Sequence, residues 1–308
     1  MKTVIPGASL AVFVQTGGDD GRPDSATPKG RRMTQLGLVD PTGPGRRPKD
    51  RRLPTISAVL PTLNEAANLP HVFARLPDCV TEVVLVDGRS KDDTIAVARA
   101  LRPDIRVILQ SGRGKGNALA CGFAAARSEI IVMLDADAST DPAEIPRFVG
   151  ALLDGADFAK GSRFVYGGGS EDITRLRAAG NRVLGLGVNA LFGTSYTDLC
   201  YGYNAFWRHC LPHMQVNCDG FEVETLINVR IARANLRVVE VPSTEAPRLH
   251  GVSNLSAFRD GRRVVRTIVR ERVRRPMPAS DAWRPEYHEL PREPLLLCAS
   301  AGARASRA

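Results

Sequence analysis

The 308 residues are 43% hydrophobic and 6% aromatic with a formal net charge of +9, enough apolar content for one large core and an argument against two domains. Cysteines at 79, 121, 200, 210, 218 and 298 form no C-x-x-C pair, which excludes a zinc ribbon or a disulfide scaffold. No segment reaches the roughly 18 consecutive apolar residues of a membrane-spanning helix, and with few aromatics and no nucleic-acid motif the positive charge is not read as a nucleic-acid footprint.

Residues 1–53 include Gly17-Gly-Asp-Asp-Gly-Arg-Pro23 and Gly43-Pro-Gly-Arg-Arg-Pro48 and lack a sustained apolar period. They read as a disordered or weakly ordered arm with a short strand at 8–15, and the interrupted apolar run at the start is too weak for a secretion signal. Ile56-Ser-Ala-Val-Leu-Pro61 is an apolar run stopped by Pro61 and followed by Asn64-Glu65 and a helical pattern, hence strand, loop, helix. A second unit has a strand at 82–87, a turn at 88–93 and a helix at 94–101. A third strand, 106–110, leads to Ser111-Gly-Arg-Gly-Lys-Gly-Asn-Ala118 and an Ala-rich helix.

The stretch Ile130-Ile-Val-Met-Leu-Asp-Ala-Asp-Ala-Ser-Thr-Asp-Pro142 places Asp135 and Asp137 at the end of an apolar strand. Side chains alternate along extended backbone, so the two carboxylates share a side while Ala136 faces away. Oxygen ligands in this arrangement suit Mg²⁺ or Mn²⁺, which keep waters and accept phosphate oxygens. The competing reading makes Asp135 a turn residue and Asp141 the cap of the next helix. Strands alternating with helices predict an α/β fold with a mostly parallel central sheet flanked by helices and right-handed crossovers. Ligands of such sheets bind at the strands' carboxyl ends, where Glu65, Asp87, Lys115 and Asp135 converge.

Farther along, Glu222 and Glu224 in Asp219-Gly-Phe-Glu-Val-Glu224 share a strand face or open a helix running to Ala234, where their charge would favour the helix dipole. Residues 259–275 hold eight arginines and two acids. Phe258, Val265, Ile268, Val269 and Val273 recur there at helical spacing, which predicts a basic amphipathic helix over 257–275. Its apolar stripe packs on the domain, or lies on an anionic membrane, or does both on different faces. From 276 to 308 the chain is a Pro- and Arg-rich tail, and 54–256 is the catalytic domain.

In order and spacing the chain resembles the family 2 glycosyltransferases of the GT-A nucleotide-binding fold, and among them the dolichyl- and polyprenyl-phosphate mannose synthase branch. The likeness covers about residues 54–270. It rests on Leu60-Pro-Thr-Leu-Asn-Glu65, Val86-Asp87, Gly114-Lys-Gly116, Asp135-Ala-Asp137, Lys160-Gly-Ser-Arg-Phe164, Asp198-x-x-x-Gly202-Tyr203, Gly220-Phe-Glu-Val-Glu224 and Arg248-x-x-Gly251-x-Ser253-Asn-Leu255. The resemblance implies nucleotide-sugar contacts at Pro61, Leu63, Glu65, Asp87, Lys115, Gly116, Asp135 and Ala136. It implies a metal held by Asp135 and Asp137, and a loop of Arg248, Ser253 and Asn254 closing over the phosphates. Two positions depart from the pattern. Asp87-Gly-Arg-Ser90 has Arg89 where the usual Asp-Asp-Gly-Ser turn has no cation, and Ser139 stands where many relatives carry glutamine, so a hydroxyl or water completes the metal shell.

Sugar transfer builds negative charge on the departing phosphate. Arg163 is the candidate cation to meet it, since a guanidinium offers fixed paired donors, the alternative being a surface arginine at a strand end. A lipid phosphate acceptor is already anionic and needs no general base; a hydroxyl acceptor needs one, and Asp198 ranks first for that role before Asp219, Glu222 and Glu224. His250 is as readily a loop residue. The expected activity is therefore a metal-dependent, inverting transfer from GDP-mannose or a UDP-sugar to a polyprenyl-phosphate-like acceptor, by a cytoplasmic protein peripheral on the cytoplasmic face of the membrane. Alternatives are the same transfer to a soluble hydroxyl acceptor, a sugar-phosphate nucleotidylyltransferase, which lacks its expected Gly-rich strand-to-helix signature here, and a nucleic-acid binder.

Overall fold

A computed structural model describes residues 52–252, 256–275 and 278–292. The strand expected at 8–15, with the rest of 1–51, lies outside these residues, as do Ser253, Asn254 and 293–308.

In chain order the elements are β1 (Ile56–Thr62), α1 (Leu69–Phe73), β2 (Glu82–Asp87), α2 (Thr94–Leu101), β3 (Arg106–Gln110), α3 (Gly114–Ala125), β4 (Ile130–Met133), α4 (Ile145–Leu153), β5 (Phe158–Ser162), β6 (Gly169–Ser170), α5 (Arg175–Phe192), β7 (Asn204–Trp207), α6 (Leu211–Met214), α7 (Val223–Arg233), β8 (Val238–Pro242), β9 (Thr244–Glu245), α8 (Ala257–Val273) and β10 (Tyr287–Glu289). The main sheet runs β10-β3-β2-β1-β4-β7-β5-β8, and β6 pairs with β9 beside it. Only β7 and β10 run against the others. The mostly parallel sheet expected from alternating strand and helix patterns is the one observed.

β1 and β2 read as near-continuous apolar runs because helices cover both faces. Ala58, Leu60 and Leu85 pack on one side with Ile145 and Phe148 of α4. Val59, Val84 and Val86 pack on the other with Leu119 and Phe123 of α3 and Ile227 of α7. Burying each such large side chain contributes about 1.5–3 kcal/mol. A Cβ on Gly122 would come within 2.4 Å of the Val59 side chain, so α3 lies flush on the sheet only because of that glycine.

Pro61 does not stop β1; it pairs in register with Val86. The β1–β4 ladder has ended at Val59 and Met133, so the missing proline N–H forfeits little. That same early ending corrects the placement of Asp135 and Asp137. They sit beyond β4 in a turn, where Ala138 has a φ of 61°, rather than on extended strand. The expected alternation survives nonetheless, with Ala136 buried in the core.

β10 was not legible in the Pro- and Arg-rich tail; it adds to the free side of β3. Arg106 of β3 fastens it. This buried guanidinium meets Glu289 at 2.6 Å and Glu82 at 2.7 Å.

The helix expected over 257–275 is observed at Ala257–Val273, with its faces differently divided. Val264 and Ile268 are buried with Asp260, Thr267 and Glu271, and this face packs on α5 and α7. Phe258, Val265, Val269 and Val273 are exposed, so of the five residues expected in one stripe only Ile268 is inward. The inward face is secured by Glu271, which accepts from Arg230 at 2.9 and 3.2 Å while Arg230 also donates to the Met214 and Gln215 carbonyls. Glu271→Gln keeps the volume and loses the charge, and is expected to cost about 1–3 kcal/mol. Thermal melts should show a drop of several degrees; an unchanged midpoint would mean that the pair does not fasten α8.

Candidate active site

A cavity of about 1030 Å³ opens where β1, β2, β4 and β5 end. At one end its wall includes Pro61, Leu63, Glu65, Arg89 and Gln110. The loops after β1 and β2 are stitched together: Ser90 N–H donates to Asp87 Oδ2 and Asn64 N–H to Ser90 Oγ, each at 2.9 Å, and Lys91 N–H donates to Asn64 Oδ1 at 2.7 Å. Asp87 is buried behind this wall, and its Oδ1 has no partner among the described residues. A buried acceptor left open is costly without a ligand donor.

Lys115, at the start of α3, bridges Asp135 Oδ1 at 2.6 Å and Glu224 Oε1 at 2.8 Å. Burial alone would favour the neutral amine, but these two carboxylates outweigh it and hold the ammonium protonated. Burial pushes the Glu224 carboxyl above its usual range against the pull of Lys115. Gly202 makes room for the cluster, since a Cβ there would lie 2.8 Å from Lys115 Nζ and 3.1 Å from Asp135 Oδ2. Gly116 is not among the residues that line the cavity. Its N–H donates to the Asp219 carbonyl at 3.0 Å, and a Cβ would fall 2.3 Å from the Cys218 carbonyl, so this glycine permits backbone-to-backbone packing.

Asp135, Asp137 and Ser139 all line the cavity. Asp137 Oδ1 accepts from Ser139 N–H at 3.0 Å and its hydroxyl at 2.6 Å, and Oδ2 accepts from Arg248 at 2.8 Å. Arg248 also reaches Glu65 Oε1 at 3.1 Å. Among the described residues no set of three carboxylate, imidazole or thiol groups could hold a metal ion. Two hard oxygen donors fit an ion that keeps waters and takes phosphate oxygens for the rest of its shell, as Mg²⁺ and Mn²⁺ do.

Arg163 is not a surface arginine. It is 6% exposed and lines the cavity from the end of β5. Nε and Nη2 grip Asp198 at 2.7 and 3.0 Å, and Nη1 reaches Glu245 at 2.9 Å. One N–H on each terminal nitrogen remains uncommitted in this set of bonds. Asp198 is fully buried, off the cavity wall, and also receives Asn181. Burial opposes its charge, but Arg163 and Lys160 hold its carboxyl below the usual range. A carboxylate held in this way and off the cavity wall is better placed to position Arg163 than to collect a proton as the expected general base. Of the other carboxylates, Glu222 and Glu224 fall at the start of α7, not on a strand.

Toward α5 and α8 the cavity lining is mixed, with Asp172, Asn181 and Asp260 among apolar side chains. Ile173, Leu176 and Leu184 of the α5 region face Phe258 and Val264 of α8, with Arg177 beside them. Motif reading missed this groove. The signal was the spacing in α5, where Leu176, Gly180 and Leu184 recur every four residues and all three line the cavity.

A mostly parallel sheet with paired carboxylates and a buried arginine at its carboxyl ends defines an α/β protein with its site where such sheets bind ligands. A family model described as glycosyl transferase family 2 matches residues 57–213, and the chain belongs to that family. It is 32% identical over 223 residues to the polyprenol monophosphomannose synthase of Mycolicibacterium smegmatis, covering 68% of this chain and 83% of that one. It is 32% identical over 222 residues to the undecaprenyl-phosphate mannosyltransferase of Micrococcus luteus, covering 68% and 91%. Among solved structures, glucosyl-3-phosphoglycerate synthase from Mycobacterium tuberculosis with Mn²⁺, UDP and glucosyl-3-phosphoglycerate matches with a TM-score of 0.58 and 27% identity, over 71% of this chain and 80% of that one. The fold is therefore the GT-A arrangement. Family membership sets aside the nucleotidylyltransferase and nucleic-acid alternatives.

Proposed function

We propose that this glycosyltransferase moves a sugar from a nucleotide-sugar donor to the phosphate of a polyprenyl-type lipid, with inversion. The observation that carries this reading is the continuity of the cavity, which runs from the loops after β1 and β2 past Asp135 and Asp137 into the groove between α5 and α8. The apolar side chains there, Ile173, Leu176, Leu184, Phe258 and Val264, suit a lipid phosphate, which needs an anion site next to an apolar path, better than a small soluble acceptor. The arginines at the junction, Arg163 and Arg177, suit that anion. Names of relatives acting on polyprenol and undecaprenyl phosphate support the same class.

In this mechanism Pro61, Leu63 and Glu65 bound the nucleoside site, and Asp87, behind them, fixes the adjoining loop by accepting from Ser90 N–H. Asp135 and Asp137 would hold Mg²⁺ or Mn²⁺, whose chemistry is to neutralise charge on the leaving diphosphate. Arg163, expected from the sequence to meet the departing phosphate, is pre-set by Asp198 and Glu245 and in this reading orients the acceptor phosphate instead. A phosphate oxygen attacks the anomeric carbon opposite the departing nucleoside diphosphate, forming one C–O bond as the other breaks. No general base is required, in keeping with the engagement of Asp198.

The groove opens beside an exposed apolar face. On α8, Phe258, Val265, Val269 and Val273 fall within about 80° of one another at 100° per residue, with Arg262, Arg266 and Arg272 alongside. All seven are exposed. This basic and apolar face supports attachment to the cytoplasmic surface of an anionic bilayer, each engaged arginine contributing about 1 kcal/mol; among the described residues no helix is long and apolar enough to cross a membrane. The test is to offer GDP-mannose or UDP-sugars with Mg²⁺ or Mn²⁺ and a short polyprenyl phosphate, then measure labelled sugar extracted into organic solvent. Extraction that disappears with excess chelator is expected. Label transferred only to aqueous hydroxyl acceptors would replace the lipid reading. Replacing Arg262, Arg266 and Arg272 by Gln should release the protein from anionic liposomes at low salt and leave transfer to the short acceptor in place; wild-type protein that ignores such liposomes would remove the membrane surface from the proposal.

A further inference from the structure

Both carboxylates that would bind the metal are held by cations of the chain itself, and the two cations are held very differently. Lys115 is fixed: its side chain is 13% exposed, it spans Asp135 and the buried Glu224, and its Nζ stands 5.9 Å from the centre of the Phe221 ring. Arg248 is not. It belongs to the loop following β9, where Leu249 and Val252 are 53% and 82% exposed and Gly251 takes a φ of +82°. The nearby anchor is the side chain of Asn68, whose amide donates to the His250 carbonyl at 3.2 Å and accepts from the His250 N–H at 3.1 Å. The guanidinium itself is tethered through Glu65 and Asp137, at 3.1 and 2.8 Å.

We propose that Arg248 is a loading latch. In the resting enzyme it holds Asp137 and Glu65 together, and it yields Asp137 to a divalent cation when a nucleoside diphosphate offers phosphate oxygens in exchange. This rests on the reading of Asp135 and Asp137 as metal carboxylates. A divalent cation arriving alone meets a unit positive charge already seated on Asp137, and like charges at such range repel strongly outside bulk water. When the cation arrives with a diphosphate, the guanidinium gains an acceptor matched to its fork of donors, and the exchange proceeds without leaving a buried charge unpaired. Lys115 stays throughout, keeping Asp135 in place. The latch thus makes metal and donor bind as a pair, a coupling that must act equally on each ligand's affinity.

The test is a titration of the full-length protein with Mn²⁺, following free aquo-ion by electron paramagnetic resonance, without nucleotide and with saturating GDP or UDP. Wild-type protein should bind Mn²⁺ weakly alone and more tightly with the nucleotide that it accepts. Arg248→Gln should bind Mn²⁺ alone about 5- to 50-fold more tightly and show a correspondingly smaller gain on nucleotide addition. Arg248→Lys keeps the charge without the span across both carboxylates and should fall between them; it also carries the test if the Gln variant melts far below wild type. Equal Mn²⁺ affinity in wild type and both variants, with nucleotide coupling intact, would overturn the latch and leave the proposed function standing. Failure of wild type to bind Mn²⁺ under any nucleotide would overturn the metal reading and the latch together.

Discussion

Asp137→Asn is expected to lower transfer by about 10²- to 10³-fold, the scale of losing one preorganised charge-stabilising group in an active site, and to leave the fold intact. The amide keeps the volume and one acceptor oxygen, so Ser139 can still donate to it, while anionic coordination is lost. Arg248 retains Glu65, which limits the structural cost. Activity should be measured across Mg²⁺ and Mn²⁺ concentrations beside a thermal melt. Near-wild-type turnover in this variant, or wild-type turnover in excess chelator, would discard the metal-assisted mechanism.

Asp198→Ala is expected to destabilise the protein by about 3–5 kcal/mol, because it strips the main partner from a buried guanidinium and leaves Glu245 to hold Arg163 alone. For a domain of this size that is roughly 6–20 °C in melting temperature. The same substitution frees Arg163 to leave its pre-set orientation, so the variant assayed well below its melting point should also turn over slowly. The two readouts separate positioning from proton transfer. An unchanged melting point with activity lost, and a wild-type pH profile that falls with protonation of one carboxylate, would return Asp198 to the role of general base.

The first half of the fold was legible because each strand there is a short apolar run, each helix has its own period, and the parallel crossovers follow from their alternation. The ends of β2, α2 and β3 fall where those runs end. The reversed strand β7 was not legible, since nothing local distinguishes a strand inserted antiparallel between β4 and β5 from another parallel one. The same division holds in the site. Asp135 and Asp137 could be paired from spacing alone, although a turn rather than a strand presents them. The grip of Arg163 on Asp198 and Glu245 joins residues 35 and 82 positions apart, which no local pattern encodes. In α8 the error was one of phase: Val264 and Val265 are adjacent in sequence but about 100° apart around the helix, and only the partners α5 and α7 decide which of them turns inward.

The strand β10 gives the C-terminal segment a duty unrelated to catalysis. By pairing with β3 it occupies a row of backbone donors and acceptors that would otherwise face solvent as a bare sheet edge, the kind of template on which a second copy can add itself. Arg106 ties this guard in place through Glu289, so the guard and the core share one charged rivet. A preparation intended to stay monodisperse should carry its affinity tag or fusion partner beyond residue 292, leaving residues 287–289 to cover the edge.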